Sequence, residues 1–171
     1  MSPSTHLIVL HWGDPRVTAA CLQSLRAADL TGVTVVVVDN GTPGRTGEAL
    51  VRQFPEFTHL RLEQNLGFAG GNNVGLRRAL DAGADHALLL NNDTQVAPDA
   101  VQRMIAAAER DPQIAMVNPK ILHQIPPNLI WYAGGDLSPW KGLPRHRGRG
   151  RVDTGAHDTP QAVTFVTGCA L

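Results

Sequence analysis

Two short apolar stretches of this sequence end in carboxylate and amide side chains. Val33–Val38 stops at Asp39–Gly41, and Ala87–Leu90 stops at Asn91–Thr94. Short continuous apolar stretches are typical of strands buried on both faces of a parallel sheet. Ligands of such sheets bind just outside the carboxyl ends of the strands. Two strands that bring a carboxylate and amides to that edge predict a phosphate-bearing ligand held partly through a divalent cation.

A glycine-rich segment, Asn65–Gly75, lies between a predicted strand and a predicted helix. Glycines let a ligand approach the backbone closely, and the N–H groups at a helix start favour an anion such as a diphosphate. The segment contains neither GxGxxG nor GK[ST], so it is not a dinucleotide fingerprint or a P-loop. A tight turn capped by asparagine is the alternative interpretation. Asn91–Asp93, taken alone, is equally compatible with a polar turn, because Asn and Asp are common there.

The elements that must position these residues follow from the hydrophobic periodicity. Strands are predicted at Leu7–Leu10, Val33–Val38, Thr58–Leu62, Ala87–Leu90 and Ile114–Val117. Helices are predicted from Pro15 to about Asp29, from Gly47 to Phe54, from Gly71 to about Gly83, and from Pro98 to Asp111. Their inner faces are predicted to include Val17 in the first helix and Leu80 in the third. Four βα units in tandem predict a parallel sheet with helices on both faces.

The pattern becomes irregular after Pro119. Short strands are predicted near 130–133 and 162–167, and we expect one domain, 1–171, made of a βα core at 1–119 and an irregular excursion with a returning strand at 120–171. The arginine-rich run Arg145–Arg151 favours a mobile, solvated loop, since glycines surround it and no aromatic residue interrupts it. Contact with a substrate phosphate, an anionic lipid or a nucleic acid is the alternative.

The composition is that of an ordinary globular protein. The 171 residues include 15 basic and 15 acidic ones, and 43% are hydrophobic. Because the formal net charge is zero, the chain lacks the overall positive field that attracts nucleic acids, and no nucleic-acid partner is expected. No apolar stretch reaches the roughly 20 residues that cross a bilayer, and Met1–Thr5 lacks the basic and apolar regions of a signal peptide, so export is not expected. We expect a cytoplasmic protein with reduced Cys21 and Cys169, and leave peripheral attachment at the membrane open.

The ordered set of motifs resembles family 2 glycosyltransferases of the GT-A fold, especially rhamnosyltransferase-like members. The resemblance rests on Val36–Thr42, Asn65–Gly75 and Leu88–Thr94, and it extends to Trp131–Gly135 and Thr167–Leu171. It implies an α/β, Rossmann-like GT-A fold with an open, mostly parallel sheet. It also implies a nucleotide-diphosphate sugar donor of the UDP or dTDP type, Mg²⁺ or Mn²⁺, and a saccharide or lipid-linked acceptor. Transfer with inversion, in cell-wall or polysaccharide biosynthesis, is the activity that this family resemblance implies.

The same resemblance assigns roles to single residues. Asp39 is expected to bind the nucleoside and Asn91, which replaces the first Asp of the family's DxD motif, to contact the ribose. Asp93 is the expected metal ligand. The complete set of expected nucleotide-sugar-binding residues is His11, Trp12, Asp39, Asn40, Gly70, Asn73, Gly75, Asn91 and Asn92.

The catalytic base has no assigned position. In the family resembled, it lies in a segment beyond the one similar to Thr167–Leu171, so we expect a C-terminally truncated, poor or inactive transferase that still binds donor and self-associates as a homo-oligomer. Asp136, Asp153 and Asp158 are expected to have ordinary loop roles.

Two further functions were weighed against this one. A non-catalytic nucleotide-sugar-binding fragment completed by another chain remains open. A sugar-phosphate nucleotidyltransferase is disfavoured, because that class resembles proteins with a glycine-rich, lysine-containing loop after the first strand. Here the corresponding residues are Trp12–Arg16.

Overall fold

The computed structural model describes residues 3–140 and 142–171, with only the backbone described at Arg45. These residues form two compact units. The first comprises residues up to Ile105 together with Gly168–Ala170, and the second comprises 106–167 with Leu171. The division falls earlier in the chain than the expected change at Pro119, while the single-domain assignment stays a prediction.

A four-stranded parallel sheet forms the first unit. Its strands are β1 (Thr5–His11), β2 (Val33–Asp39), β3 (Thr58–Arg61) and β4 (His86–Asn91), in the order β3-β2-β1-β4. The predicted α/β architecture is therefore confirmed. The strands extend one or two residues beyond most of the predicted bounds, because backbone pairing continues into the polar residues that follow the apolar stretches.

Helices cover both faces of this sheet, as predicted. The helices are α1 (Pro15–Arg26), α2 (Glu48–Gln53), α3 (Gly67–Asp81) and α4 (Ala100–Ala108), and a 3₁₀ turn spans Pro43–Arg45. Leu7, Val9 and Val37 face α1, α2 and the start of α4, whereas Ile8, Val36 and Val38 face α3. Alternate residues of one strand thus pack into two separate apolar cores, which explains why the strands are apolar throughout.

Three details of the predicted helices were wrong. Val17 is 43% exposed, and α1 buries Thr18 and Leu22 in addition to Cys21 and Leu25, which were placed on the inner face correctly. Leu80 is 75% exposed, since α3 contacts the sheet through Gly71, Gly75, Leu76 and Ala79. That helix also starts at Gly67 rather than Gly71. Glycine and alanine lie on the inner side here because the helix approaches β1 too closely for larger side chains.

The second unit is built of short antiparallel pairs. Strand β5 (Ile121–Leu122) pairs with β6 (Ile130–Tyr132), and β7 (Gly135–Leu137) pairs with β8 (Pro144–His146). The fully buried Tyr132 places its hydroxyl 2.8 Å from the Phe165 carbonyl oxygen. The His146 ring lies 5.1 Å from the rings of both Trp131 and Tyr132.

Two predictions in this region were wrong. Ile114–Val117 forms no strand, because no neighbouring strand in the described residues supplies it with ladder hydrogen bonds. In 162–167 only Phe165 makes a strand-like bridge, to Gly135. The expected strand near 130–133 is confirmed as β6.

The arginine-rich run is more ordered than a solvated loop. Strand β8 contains its first two residues, and Arg147 bonds both carboxylate oxygens of Asp136, at 2.9 and 2.5 Å. Asp153 and Asp158 both pair with Lys120. All three carboxylates therefore form ion pairs, and their expected ordinary loop roles stay a prediction. The cysteines are free, as expected, and burial raises the pKa of Cys21 to about 12.

The close approach of α3 to β1 yields a stability prediction. A Cβ at position 75 would come 2.5 Å from Cγ2 of Ile8, so Gly75→Ala should lower the free energy of unfolding by about 1–3 kcal/mol through overpacking, despite the better helix propensity of alanine. Ile8→Ala removes the obstructing atoms. The double variant, measured by denaturant unfolding, should therefore lose less stability than the two single losses added together. Simple additivity would show that no such collision exists.

Candidate functional site

Parallel register aligns the carboxyl ends of the four strands. His11 of β1 lies opposite Asp39 of β2, and Leu10 lies opposite Asn91 of β4. Arg61, the last residue of β3, lies opposite Asp39 on the other side. The polar residues that follow the two apolar stretches thus share one edge of the sheet, as the sequence predicted.

Asp39 is the centre of charge at this edge. Its Oδ1 accepts a hydrogen bond from the Thr42 backbone N–H at 2.9 Å, and its Oδ2 lies 3.2 Å from Nη1 of Arg61. Gly47 contacts Asp39 so closely that a Cβ there would collide with the carboxylate. Asp39 is 8% exposed, so its carboxylate is held rigidly between β3 and the turn that precedes α2.

Asn40 holds the glycine-rich segment against the sheet edge. Its Nδ2 donates to Oδ1 of Asn65 at 2.9 Å and to the Gly67 carbonyl oxygen at 3.1 Å, while its Oδ1 accepts from the Leu66 N–H at 3.0 Å. Asn40 is 2% exposed. These internal bonds show that the residue positions the loop that starts α3, and a direct contact with a ligand stays a prediction.

A buried hydroxyl links the ends of β1 and β4. The Oγ1 of Thr18, on α1, lies 2.8 Å from Nδ1 of His11 and accepts a hydrogen bond from Nδ2 of Asn92 at 2.8 Å. His11 and Thr18 are both fully buried. Burial lowers the pKa of His11, although the charges of Asp39 and Asp14 oppose the shift. The ring is therefore held mainly in its neutral form.

Two buried polar atoms at this edge have no hydrogen-bond partner among the described residues. They are Nε2 of His11 and Oγ1 of Thr42. Both belong to residues next to Asp39, one across the strand pair and one through the backbone N–H that Asp39 accepts. Buried polar groups are nearly always paired, so orphaned ones mark a place where a ligand or water completes the bonding.

The other expected site residues separate into exposed and packed ones. Trp12 is 55% exposed, and Asn73 and Asp93 are also exposed. Gly70 and Gly75 instead serve packing, since added Cβ atoms would come 2.7 Å from Cβ of Leu66 and 2.5 Å from Cγ2 of Ile8. The structure brings the predicted residues to one edge and one neighbouring helix, and their ligand contacts stay predictions.

A cation at this edge would need oxygen atoms from a bound phosphate group and from water to complete its coordination. The described residues contain no group of three His, Cys, Asp or Glu side chains arranged to hold a metal. Asp93 supplies one exposed carboxylate directly after the Asn91–Asn92 pair. This donor set fits Mg²⁺ or Mn²⁺, which proteins bind through one or two carboxylates with the remaining positions filled by phosphate oxygens and water.

Sequence reasoning missed Thr18, Thr42 and Arg61. Arg61 was recognisable as the penultimate residue of the predicted strand Thr58–Leu62, to which the rule about carboxyl ends applies as well. Thr18 follows the N-cap Asp14 by one helical turn, on the side of α1 that faces the sheet. Its role was hidden because a threonine in a helix gives no indication of which buried groups it will meet.

Comparison with known proteins finds relatives that match more than half of this chain. The sequence profile of Glycosyl transferase family 2 matches residues 7–165. An N-acetylglucosaminyltransferase of Sinorhizobium fredii is 32% identical over 108 residues, covering 60% of this chain and 25% of the relative. An N-acetylglucosaminyl-diphospho-decaprenol L-rhamnosyltransferase of Mycobacterium tuberculosis is 31% identical over 108 residues, covering 58% of this chain and 35% of the relative.

A solved structure shares the fold. The mannosyltransferase PcManGT from Pyrobaculum calidifontis, in complex with GDP-Man and Mn²⁺, superposes with a TM-score of 0.58 at 20% sequence identity. The match covers 67% of this chain and 34% of the mannosyltransferase. The chain thus spans between a quarter and about a third of the length of these three proteins.

The Thr18 network makes a testable contribution to stability. Thr18→Val keeps the shape of the side chain but leaves Nδ1 of His11 and Nδ2 of Asn92 without their partner. Because a buried unpaired polar group costs about 1–3 kcal/mol, the free energy of unfolding should fall by that amount. Thr18→Ser, which retains the hydroxyl, should recover most of the loss in the same denaturant titration. Equal losses in both variants would contradict the assigned hydrogen bonds.

Burial of neutral histidine predicts how stability depends on pH. The pKa values of His11 and His6 are both lowered, chiefly by burial, so the unfolded chain binds more protons than the native one once the pH falls through about 6.5. Unfolding measured between about pH 7 and pH 5.5 should show stability decreasing as the pH falls. In a His6→Asn background, the further change His11→Asn should flatten the remaining dependence. An unchanged slope would show that His11 does not titrate as proposed.

Proposed function

This chain belongs to glycosyl transferase family 2, and on that premise we propose that its first unit binds a nucleoside-diphosphate sugar together with a divalent cation. The observation that supports the proposal is that buried polar atoms at the carboxyl ends of the strands have no hydrogen-bond partner among the described residues. Two buried orphan atoms, on His11 and Thr42, lie beside the rigid Asp39 carboxylate, and the exposed Asp93 follows the adjacent strand β4.

The nucleoside is proposed to lie at the β1–β2 side of this edge. Asp39 would accept from the base or the ribose, since its carboxylate is fixed by Thr42 and Arg61. Nε2 of His11 and the exposed ring of Trp12 would border the base, the first through a hydrogen bond and the second through its flat apolar surface. The proposed donor is of the UDP or dTDP type expected from the sequence, whereas the mannosyltransferase that shares the fold was solved with GDP-Man.

The diphosphate is proposed to lie between β4 and the start of α3. Asn91 would contact the ribose and Asp93 would hold the cation, which when bound neutralises charge on the departing diphosphate. Asn92 is oriented by Thr18 through its amide nitrogen. Asn73 and the close-packed Gly70 and Gly75 would shape the pocket wall, with Asn40 holding the loop that precedes them.

Sugar transfer to a saccharide or lipid-linked hydroxyl, with inversion, is the proposed reaction of the complete enzyme. Of the carboxylates in the second unit, Asp136 and Asp153 have pKa values lowered by hydrogen bonds from Arg147 and Lys120, and Asp158 pairs with Lys120. Carboxylates held in this way are weak bases. This observation favours, as a second candidate, a donor-binding module that another chain completes.

The place of action is part of the same proposal. No helix in the described residues is long and apolar enough to cross a membrane. We place the chain in the cytoplasm, where nucleotide sugars would reach it, in the synthesis of cell-wall or other polysaccharides.

Calorimetric titration tests this proposal directly. The titrations use UDP, dTDP and GDP, each with and without Mn²⁺. At least one of these nucleotides should bind, and it should bind more tightly when the metal is present. Folded protein that shows no affinity for any of them in either condition would contradict the proposed function.

The metal ligand has its own test. Asp93→Asn should weaken nucleotide binding in Mn²⁺ about tenfold or more, because a charged contact contributes about 1.5–3 kcal/mol. Affinity measured without metal should remain unchanged. Asp81→Asn, an exposed carboxylate at the end of α3, is the matched control and should behave as the unsubstituted chain. Metal dependence that persists in Asp93→Asn would exclude this residue as the ligand.

A further inference from the structure

The hairpin formed by β7 and β8 presents an unusual apolar tip. Trp140 is 95% exposed, and Leu137 and Leu143, at the ends of the same turn, are 47% and 61% exposed. Backbone bonds close the turn, from the Ser138 N–H to the Leu143 carbonyl at 3.0 Å and from the Gly142 N–H to the Ser138 carbonyl at 2.9 Å. We call Leu137, Trp140 and Leu143 the hairpin tip.

Positive charge follows the tip along the chain. The stretch 143–151 contains four arginines and no carboxylate, although the whole chain is neutral. Arg147 is engaged by Asp136, whereas Arg145, Arg149 and Arg151 are exposed. Single exposed apolar residues are normal on protein surfaces, but a tryptophan and two leucines in one turn, with the exposed Arg145 two residues after Leu143, mark an interaction surface.

We propose that the hairpin tip inserts into the interfacial region of an anionic lipid bilayer. Tryptophan rings favour the headgroup level of membranes, and leucines favour the acyl boundary beneath it. The exposed arginines would pair with lipid phosphates, each adding to the attraction of an anionic surface. This surface lies entirely within the second unit and does not depend on the proposed nucleotide site.

Other partners fit these features less well. A nucleic acid would use the arginines and could stack on Trp140, but it offers no apolar surface for the two leucines. A second copy of the chain, joined by a twofold axis through this surface, would bring the same arginines against each other. Only the lipid bilayer supplies an apolar layer directly beneath an anionic one.

Vesicle sedimentation with the full chain tests the proposal. Binding to phosphatidylcholine vesicles that contain about one third phosphatidylglycerol should exceed binding to pure phosphatidylcholine, and should weaken as salt rises from about 0.1 M to 1 M, because salt screens surface charge. The double variant Trp140→Ser/Leu143→Ser should bind at least tenfold more weakly. The matched control Val51→Ser/Leu80→Ser, which removes two exposed apolar side chains of the first unit, should bind as the unsubstituted chain does.

The arginines can be tested separately. Arg145→Gln, at the exposed arginine of β8 nearest the tip, should weaken binding to the anionic vesicles about fivefold, which is the contribution of one arginine near the surface. Arg52→Gln/Arg77→Gln removes two exposed arginines of the first unit and should have no effect.

Fluorescence shows whether the tip itself enters the bilayer. Brominated lipids should quench the emission of the unsubstituted chain, and Trp140→Phe should abolish this quenching while retaining vesicle binding. Equal binding to neutral and anionic vesicles, no binding to either, or full binding by the tip variant would each overturn the proposal. It would also be overturned if the tip variant dissociated an oligomer in analytical ultracentrifugation while vesicle binding stayed unchanged, because the tip would then be a contact between copies.

Discussion

The in-register parallel pairing of β1 with β2 and β4 is the constraint on which the rest of the first unit depends. His11 lies opposite Asp39 and Leu10 lies opposite Asn91, so the apolar stretches end at the same level of the sheet. A shift of one residue would turn every side chain to the opposite face and move His11 away from Thr18. The two cores that cover the faces therefore fix the site as well as the fold.

Polar side chains at this edge divide into those that hold the site and those left for a ligand. The side-chain amide of Asn40 hydrogen-bonds the loop before α3, and that of Asn92 donates to Thr18. Nε2 of His11 and Oγ1 of Thr42 have no partner in the described part of the chain. Amides held by internal hydrogen bonds thus surround a few polar atoms that have no internal partner. Such a site is preorganised, because its side chains lose little conformational freedom when a ligand binds.

The sequence was sufficient for the parallel sheet and for the shared edge, because Val33–Val38 and Ala87–Leu90 have a clear pattern of burial. It was insufficient where tertiary contacts decide. Ile114–Val117 has the composition of a strand, but a strand forms only where a neighbouring strand can pair with it. The sequence of this segment does not show whether such a neighbour is present. The inner face of α1 includes Thr18 instead of Val17, and its hydroxyl bonds the buried His11 and the half-buried Asn92. Arg147 was likewise expected in a solvated loop because its partner Asp136 is distant in sequence.

Nuclear magnetic resonance of the ¹⁵N-labelled chain tests the central claim most directly, because it locates the ligand and the cation separately. Addition of UDP should shift the amide signals of 39–42 and of His11, and subsequent addition of Mn²⁺ should broaden those of 91–94 through its unpaired electrons. Both sets of changes should occur at this one edge of the sheet. Changes confined to the opposite edge, where Gly32 and Asp85 lie beside the start of β1, or broadening by Mn²⁺ that leaves 91–94 untouched, would contradict it.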